Sequence, residues 1–382
     1  MMKRRRVAIV GVGTSAFRSV TPDVSYRELT HEAAVKAYLD AGVEPKDIDG
    51  FVATAEDFLE GYSISDEYAP DQLGAVLKPV QTVPGDAIQS LGTAAMMILT
   101  GEFDIVAVQA LSKASNMLTI PDMVNFALDP VLNRPLDDVY HFVAGLEMTR
   151  FMYETGVTRE QCASVVVKNR RNALLNPVAG YGADLSVEHV IDSPMVSYPL
   201  NKLDISQHAD GSVVLVLASD EVLSRFESQP VWVEGIGWMS DAPSLESREW
   251  GTAVSTKLAA DMAYRQAGMT ASDIQFAEVC DEYSFSELQH MEALGLCGRG
   301  QAGYMLESGE TLPGGALPVN ASGGALGVGH LFECAGAYKL AEVCSQLRGE
   351  AGPRQLEDVE VGLAQSWRGV PATTAAVAIL TN

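Results

Sequence analysis

The 382-residue chain lacks several features that would assign it to a common class of protein. No apolar run reaches the roughly 18 residues that a membrane helix requires. The five cysteines include no CxxC pair, which argues against a disulfide framework and against a zinc site. The nucleophile elbow G-x-S-x-G, the P-loop and the HExxH motif are also missing. We therefore expect a cytoplasmic protein that holds no metal ion.

Positive charge is scarce in this chain. Lysine and arginine total 26 against 50 acidic residues, which gives a formal net charge of −24. A net negative charge of this size repels nucleic acid and anionic membranes, so neither is expected as a partner. A dinucleotide site is also not expected, because Gly11 and Gly13 follow the first apolar strand without the third glycine of that fingerprint. We predict no nucleotide redox cofactor.

An internal repeat is the strongest structural signal. Residues 36–48 read KAYLDAGVEPKDI, and residues 262–274 read MAYRQAGMTASDI. Upstream of each copy, VAIVGVG at 7–13 is echoed by VWVEGIG at 231–237. Each copy is typical of a strand, an amphipathic helix with a glycine C-cap, and a further strand. We predict a duplicated α/β fold with pseudo-twofold symmetry and a site near its axis.

The two copies differ in length because residues 115–225 have no evident counterpart in the second copy. This insertion contains an irregular stretch at 118–140, a helical run at 142–174 and a strand at 212–218. We predict four segments, which are the first part of the N-terminal half at 1–114, a loop or lid domain at 115–211, a return strand and helix at 212–228, and the C-terminal half at 229–382.

The segment 318–336, PVNASGGALGVGHLFECAG, is the most unusual in the chain. Its glycines allow a backbone to approach a ligand closely or to adopt positive φ. Its histidine, His330, can act as a general base or as a hydrogen-bond donor to an oxyanion. A tight turn with a structural histidine explains the same pattern, and this segment alone leaves both interpretations open.

Four ordered blocks resemble the thiolase superfamily over nearly the whole chain. They lie at 166–177, 204–218, 278–303 and 317–336, and they are most similar to sterol-carrier-protein-type and archaeal thiolases, which are acetyl-CoA acetyltransferase-like. The resemblance implies a five-layer α-β-α-β-α fold with an inserted loop domain. It also implies an acyl-CoA substrate, with coenzyme A present as the thioester, and a homodimer.

The chain departs from the thiolase pattern at the catalytic positions. The segment 85–96, GDAIQSLGTAAM, matches the block that carries the acylated cysteine, and it places Gln89 at that position. Cys280 stands where the family has a catalytic histidine, and the segment 365–369 lacks the second catalytic cysteine. His330 and Asn320 match the family's motif.

These departures imply chemistry without a cysteine acyl-enzyme. We predict cleavage or formation of a C–C bond at the β-carbon of an acyl-CoA, of the retro-aldol type, with His330 and Asn320 holding the enolate oxygen. The candidates for moving the proton are Cys280, Asp281, Glu282 and Tyr283. Cysteine-less members of this subfamily act with a zinc-ribbon/OB-fold partner protein, so the resemblance also implies such a partner.

Two alternatives stay open. One is acyl transfer through a displaced nucleophile, Cys280 or Cys334, because a thiolate beside a histidine is a nucleophile. A buried free cysteine is, however, usually a small apolar filler. The other is a catalytically silent subunit that binds coenzyme A or serves as a scaffold.

Further residues are candidates for binding the substrate. Ser322, Gly323 and Gly324 belong to the glycine-rich segment, and His208 precedes an aspartate-glycine strand entry that faces the substrate in the family. Arg170 and Arg171 form a basic cluster that can meet the CoA phosphates, although a solvated helix face explains them equally well. The remaining histidines are interpreted as ordinary helix-surface or lid residues, namely His31, His141, His189 and His290.

Overall fold

The computed structural model describes residues 5–56, 64–117, 119–136, 139–242, 244–369 and 374–382. The helices are α1 (Tyr26–Ala41), α2 (Ser65–Tyr68), α3 (Pro70–Leu73), α4 (Ala87–Leu99), α5 (Ile120–Ala127), α6 (Val139–Thr155), α7 (Arg159–Ala173), α8 (Val187–Ile191), α9 (Val254–Ala267), α10 (Ser284–Ala293), α11 (Ala302–Glu307), α12 (Gly324–Val328) and α13 (Ala335–Arg348). The strands are β1 (Val7–Thr14), β2 (Gly50–Thr54), β3 (Val80–Val83), β4 (Ile105–Lys113), β5 (Met195–Ser197), β6 (Leu200–Asn201), β7 (Asp210–Ser219), β8 (Val231–Ser240), β9 (Phe276–Glu278), β10 (Val361–Trp367) and β11 (Thr374–Thr381).

Within the described residues, nine strands form one mixed sheet in the order β3-β2-β4-β7-β1-β8-β11-β10-β9. The N-terminal half contributes the strands from β3 to β1, and the C-terminal half contributes those from β8 to β9. The halves are joined by a short antiparallel pairing of β1 with β8, in which Ala8 faces Trp232 and Ile9 faces Val231. Strand β2 runs parallel to β3 and β4, and β9 runs parallel to β10.

Two helices, α4 and α13, form the central layer and contact strands of both halves. Helix α4 is suited to this position because small and apolar side chains occupy most of its surface, and a helix that is apolar nearly all round is buried. Helix α1 covers the strands of the N-terminal half, and α9 covers those of the C-terminal half. This is the five-layer α-β-α-β-α architecture predicted from the sequence. No helix in the described ranges is long and apolar enough to cross a membrane.

The repeat positions α1 and α9 by equivalent contacts. A Cβ atom at Gly13 would overlap with the carbonyl oxygen of Ala33 in α1, and a Cβ atom at Gly237 would overlap with that of Ala259 in α9. Glycine is therefore required at both positions, because the helix backbone lies directly against the strand. The VGVG and EGIG segments of the two copies thus both let a helix backbone pack directly against a strand, which confirms the predicted duplication.

The helices α1 and α9 also end in the same way. Gly42 and Gly268 follow them with φ of 68° and 69°, the left-handed conformation that glycine adopts without a steric penalty. A short 3₁₀ turn then follows in each copy, Pro45–Asp47 in the first and Ala271–Asp273 in the second, and leads into β2 or β9. The predicted glycine C-caps are confirmed.

The helical run predicted at 142–174 consists of two helices rather than one. Helix α6 ends before Gly156, whose φ of 77° is incompatible with a continued helix. Helix α7 then begins after Thr158, whose hydroxyl accepts a hydrogen bond from the backbone N–H of Gln161. The loop domain therefore contains two separate helices here, and α6 lies beside the site described below without being continuous with α7.

The return segment at 212–228 contains the predicted strand but no α-helix. Strand β7 begins at Asp210 and pairs antiparallel with β4 on one side and with β1 on the other. In the C-terminal half, β11 likewise pairs with β10 and β8, so β7 has a counterpart that the sequence comparison missed. The predicted helix is wrong, because the segment after β7 makes only a 3₁₀ turn at Leu223–Arg225.

Candidate active site

A cavity of about 850 Å³ lies between the loop domain and the ends of the core elements. Helices α5 and α6 line one side of it, and the end of β10 lines the other. A smaller cavity of about 120 Å³ adjoins it. The two cavities share the residues Tyr140, Glu282, Tyr283 and His330, so these four side chains stand at their junction.

His330 is held rigidly by its backbone. Its N–H donates a 2.7 Å hydrogen bond to the carbonyl of Gln207, and its own carbonyl accepts one of 2.9 Å from the N–H of Ala209. Its Nδ1 lies 3.6 Å from Oε1 of Glu282 and has no hydrogen-bond partner among the described residues. Burial lowers the pKa of His330 well below its ordinary value, and the neighbouring His208 lowers it further, so the imidazole is neutral at pH 7.

The pKa of Glu282 is shifted in the opposite direction from that of His330. Burial raises the pKa of its carboxyl to about 8, although Lys339 and Arg368 oppose this shift. The group therefore carries its proton at neutral pH. Near neutrality the carboxyl of Glu282 is therefore the group of this pair that can donate a proton, and the neutral imidazole of His330 can take part in hydrogen bonds.

Two tyrosine–histidine pairs flank this centre. The hydroxyl of Tyr283 lies 3.3 Å from Nδ1 of His141, and the hydroxyl of Tyr140 lies 3.2 Å from Nε2 of His208. Burial, and then the nearby His141, lowers the pKa of His208 to about 4. The interpretation of His141 as an ordinary surface or lid residue is wrong, since it lines the smaller cavity and contacts Tyr283.

Arg368 is the only basic side chain among the described residues that line the larger cavity. It forms ion pairs with Glu333 and Glu56. Its charge also acts on Glu282, whose pKa it lowers. Apart from such charged side chains, the surface that lines the larger cavity is mostly apolar.

The tip of α4 is closed by the protein's own groups. Asp86 caps the helix, and its carboxylate accepts hydrogen bonds from the backbone of Ile88 and Gly336, both at 2.9 Å, and from the hydroxyl of Ser366. Gln89 lies in the first turn, where its side-chain oxygen accepts a 2.9 Å hydrogen bond from the backbone of Asp86. The Gln89 side chain thus completes a capping box.

Both candidate cysteine nucleophiles are buried away from the described cavity lining. Cys280 is 1% exposed, and its thiol lies 3.8 Å from the carbonyl oxygen of Trp367. Cys334 is 0% exposed and belongs to the main apolar core. Burial raises the pKa of both thiols above the ordinary value, so they remain in the weakly nucleophilic thiol form.

Asp281 and Gly324 form a helix cap. The Asp281 carboxylate accepts hydrogen bonds from the backbone of Ala325 at 2.6 Å and of Leu326 at 3.1 Å, and from the Asn169 amide at 2.8 Å. Burial raises the pKa of Asp281 to about 6. A Cβ atom at Gly324 would overlap with this carboxylate, which explains the glycine. Neither residue lines the two cavities.

Asn320 and Ser322 are occupied by similar buried contacts. The Asn320 oxygen accepts a 2.8 Å hydrogen bond from the backbone of Val279, and its amide donates one of 2.7 Å to Glu287. The hydroxyl of Ser322 donates a 2.6 Å hydrogen bond to Glu278. These bonds brace the glycine-rich segment against β9 and α10, and they leave the Asn320 amide directed away from the cavities.

The remaining candidates lie on or against α7. The Arg170 guanidinium donates a 2.9 Å hydrogen bond to the carbonyl of Tyr181, and burial lowers its pKa. Arg171 is paired at the surface with Asp184. Gly323, with φ of 105°, packs its backbone directly on α7. Of the predicted site residues, the structure brings His330, Glu282, Tyr283 and His208 together and places the others elsewhere.

Comparisons with known proteins agree with this architecture. A family model described as "Thiolase C-terminal domain-like" matches residues 237–382. The chain is 33% identical to an acetyl-CoA acetyltransferase of Methanothermobacter thermautotrophicus over 380 residues, which are 97% of this chain and 98% of that one. It is 28% identical to the 17-hydroxy-3-oxo-4-pregnene-20-carboxyl-CoA lyase of Mycobacterium tuberculosis over 96% of this chain and 98% of that one. The solved Ltp2-ChsH2(DUF35) aldolase matches with a TM-score of 0.86 and 26% identity, covering 98% of this chain and 97% of that chain.

Proposed function

Because this chain belongs to the thiolase superfamily and is an acyl-CoA enzyme of that kind, we propose that it cleaves β-hydroxyacyl-CoA thioesters by a retro-aldol reaction. The bond between the α- and β-carbons breaks, and the products are a ketone or aldehyde and a shortened acyl-CoA. One observation carries the proposal. Several proton-transfer groups meet where the two cavities join, and the tip of α4, which the resemblance assigns to the acylated residue, is capped by Asp86 and carries Gln89 in place of a cysteine.

The reaction begins with removal of the proton from the β-hydroxyl. The phenol of Tyr283 and the imidazole of His141 suit this step because they are within hydrogen-bonding distance of each other, at 3.3 Å. Burial raises the pKa of Tyr283 well above its ordinary value, so the phenol passes a proton on to His141 and does not remain ionised.

As the bond breaks, its electron pair moves into the thioester and forms an enolate. The neutral His330 suits the role of donor to the enolate oxygen, because an N–H in an apolar site stabilises developing negative charge strongly. Since Nδ1 faces Glu282, we assign the donating N–H to Nε2.

The enolate then takes a proton at the α-carbon. The protonated carboxyl of Glu282 suits this role. Between turnovers Glu282 takes up a proton from water, and His141 releases to water the proton that came from the β-hydroxyl. The cycle is balanced, because one proton leaves an oxygen and one arrives at carbon. It requires no redox cofactor and no covalent acyl carrier.

The larger cavity supports an apolar acyl group as the part of the substrate beyond the β-carbon, since its volume of about 850 Å³ is that of a site for a sizeable small molecule. The matching aldolase structure is named for two components, Ltp2 and ChsH2(DUF35). This supports our proposal that the chain acts with a zinc-ribbon/OB-fold partner. A homodimer remains part of the same proposal.

A second candidate function is acyl transfer of the acetyl-CoA acetyltransferase type. The 33% identity to the archaeal acetyltransferase favours it. It requires a reactive thiolate, and the burial of Cys280 and Cys334 argues against one. A silent scaffold subunit is the third candidate, and the unpaired buried nitrogen of His330 argues against that, because an inert site gains nothing from such a group.

Product analysis tests the proposal. Incubation with β-hydroxyacyl-CoAs that bear an apolar β-substituent should release the carbonyl compound and the shortened acyl-CoA in equal amounts, measured by chromatography with mass spectrometry. His330→Ala should reduce the rate by about 100-fold or more. His189→Ala, a change at an exposed histidine on α8, should leave it unchanged. Full cleavage by His330→Ala, or condensation of acetyl-CoA by the unmodified chain, would overturn the proposal.

A further inference from the structure

The N-terminal half of helix α6 lines the larger cavity. Tyr140, Ala144 and Glu147 share one face of the helix and all contribute to the lining. Tyr140 is at the reaction end, because it contacts His208 beside His330. Seven residues at 1.5 Å each place Glu147 about 10 Å further along the helix axis. The cavity therefore has a second polar group at a fixed distance from the first.

The carboxylate of Glu147 is poorly satisfied for a group that is 2% exposed. Its Oε1 lies 3.4 Å from a guanidinium nitrogen of Arg248 and 3.5 Å from the amide nitrogen of Gln289, both longer than an ordinary hydrogen bond. No described residue donates a hydrogen bond to its Oε2. Burial raises the pKa of Glu147 to about 7 although Arg248 lowers it. Buried carboxylates are normally well bonded, so this one has capacity to spare.

Arg248 likewise has guanidinium N–H groups that donate no hydrogen bond to a described residue. Its side chain is 3% exposed, and its Nε and Nη1 have no hydrogen-bond partner in the described part of the chain. Its guanidinium carbon lies 5.4 Å from the ring centre of Trp250 and 5.9 Å from that of Trp367. Trp367 itself lines the cavity, so the cation stands immediately behind the cavity wall.

We propose that Glu147, with Arg248 and Gln289 behind it, forms a distal subsite that binds a hydroxyl group on an otherwise apolar acyl substituent, about 10 Å from the reacting carbon. A hydroxyl fits this site because it donates a hydrogen bond to the free carboxylate oxygen of Glu147, which lines the cavity, whereas Arg248 and Gln289 stand behind it. A second carboxylate fits less well, because Glu147 would repel it. The identification of the reacting end rests on the proposed function, whereas binding at the subsite does not depend on cleavage.

A pair of thioesters that cannot be cleaved tests the subsite. The first is an acryloyl-CoA with a para-hydroxybiphenyl group on the β-carbon, and the second is the same molecule without the hydroxyl. Neither has a β-hydroxyl, so neither undergoes the retro-aldol reaction, and the biphenyl unit matches the spacing along α6. By calorimetry, the hydroxylated probe should bind the unmodified chain about tenfold more tightly, as one hydrogen bond to a charged group provides.

Glu147→Leu should abolish this preference, and the isosteric Glu147→Gln should reduce it, which keeps the test valid if the leucine variant folds poorly. The matched control is Glu342→Gln, because Glu342 is also a buried carboxylate paired with an arginine, Arg354, and it does not line the cavity. The control should keep the full preference.

Equal binding of both probes by the unmodified chain, binding of neither probe, or a preference that survives both Glu147 changes would each overturn the subsite. These outcomes are separate from those of the cleavage test. If a β-hydroxyacyl-CoA is not cleaved while the hydroxyl preference persists, the retro-aldol function fails and the subsite stands. If cleavage occurs without any preference, the subsite alone fails.

Discussion

Oδ2 of Asp86 accepts a 2.9 Å hydrogen bond from the backbone N–H of Gly336, so a single carboxylate ties the first turn of α13 to the tip of α4. Its other oxygen accepts from the backbone of Ile88 within α4. The N-terminal ends of helices carry partial positive charge and bind anions. Three residues before Gln89, which stands where the thiolase resemblance expects a reactive sulfur, the two helix ends therefore bind the protein's own Asp86 carboxylate.

Restoring a cysteine at the tip of α4 should not create a thiolase. In Gln89→Cys the new thiol would lie in the first turn of α4, three residues after the buried Asp86, whose negative charge disfavours a thiolate. The change also removes the capping box, which should lower the free energy of unfolding by about 1 kcal/mol. Intact-mass spectrometry after exposure to acetyl-CoA should show no acetyl adduct, and stoichiometric acetylation of this variant would contradict the prediction.

The native cysteines near the site should be dispensable for catalysis. Cys280→Ala and Cys334→Ala should each keep the rate of acyl-CoA cleavage within about threefold of the unmodified chain. Each should lower the free energy of unfolding by about 1 kcal/mol, because a small buried side chain is lost. Steady-state kinetics and denaturant unfolding measure the two effects. A loss of activity together with the loss of a covalent acyl adduct would instead establish one of them as a nucleophile.

Glu282 should make the stability of the protein fall as pH rises. Burial raises the pKa of its carboxyl from the ordinary 4.5 to about 8. Between these values the unfolded chain has released the proton that the folded chain retains, so this group's contribution to the free energy of unfolding declines with pH. Glu282→Gln removes that decline, and the Tm of the variant relative to the unmodified chain should increase from about pH 5 to about pH 8. Parallel curves of Tm against pH would show that Glu282 does not titrate in this way.

The same carboxyl sets the expected pH dependence of the reaction. As the acid that protonates the enolate, Glu282 must hold its proton, so the rate should fall as the pH rises above about 8. Glu282→Gln cannot supply this proton and should be slower by about 100-fold at neutral pH. A rate that remains constant through pH 9 in the unmodified chain would assign the acid to another group.

The repeated glycines should be equally intolerant of substitution in the two halves. Gly13→Ala and Gly237→Ala would each place a methyl group against a helix carbonyl, of Ala33 or Ala259, and each should lower the free energy of unfolding by about 3 kcal/mol. Gly314→Ala is the matched control, since no atom lies within 4 Å of the added carbon. Urea unfolding measures all three. A large loss in only one half would mean that the two contacts are not equivalent.

The sequence was sufficient to predict the architecture, because the repeat and the glycine caps that indicate it are features of short segments of the chain. The recurring Ala-Tyr and Ala-Gly pairs fix α1 and α9, and the glycines after them end both helices. The break between α6 and α7 was missed because a helical pattern continues across Gly156. Strand β7 was predicted, but its pairing with both β1 and β4 depends on segments far away in sequence.

The candidate site was predictable only in part. His330 could be identified because it lies in the glycine-rich segment 318–336, whereas no sequence motif surrounds Tyr140 and His141. Their importance comes from contacts with His208 and Tyr283, which are remote in sequence and meet them only once α6 lies against the C-terminal half. Asp281 was one of four neighbouring candidates for moving the proton, but its side chain caps α12 and does not line the cavities.

The wall that α6 provides has a further consequence for how this protein selects substrates. A helix presents side chains to one face only at every third or fourth position, about 5.4 Å apart per turn. Exchanging the residues at Ala144 and Glu147 would therefore move the carboxylate about 4.5 Å towards Tyr140 and should shorten the accepted acyl group by about that length. In variants of this protein with changes on this face of α6, the accepted length of the acyl group is therefore expected to change in discrete steps.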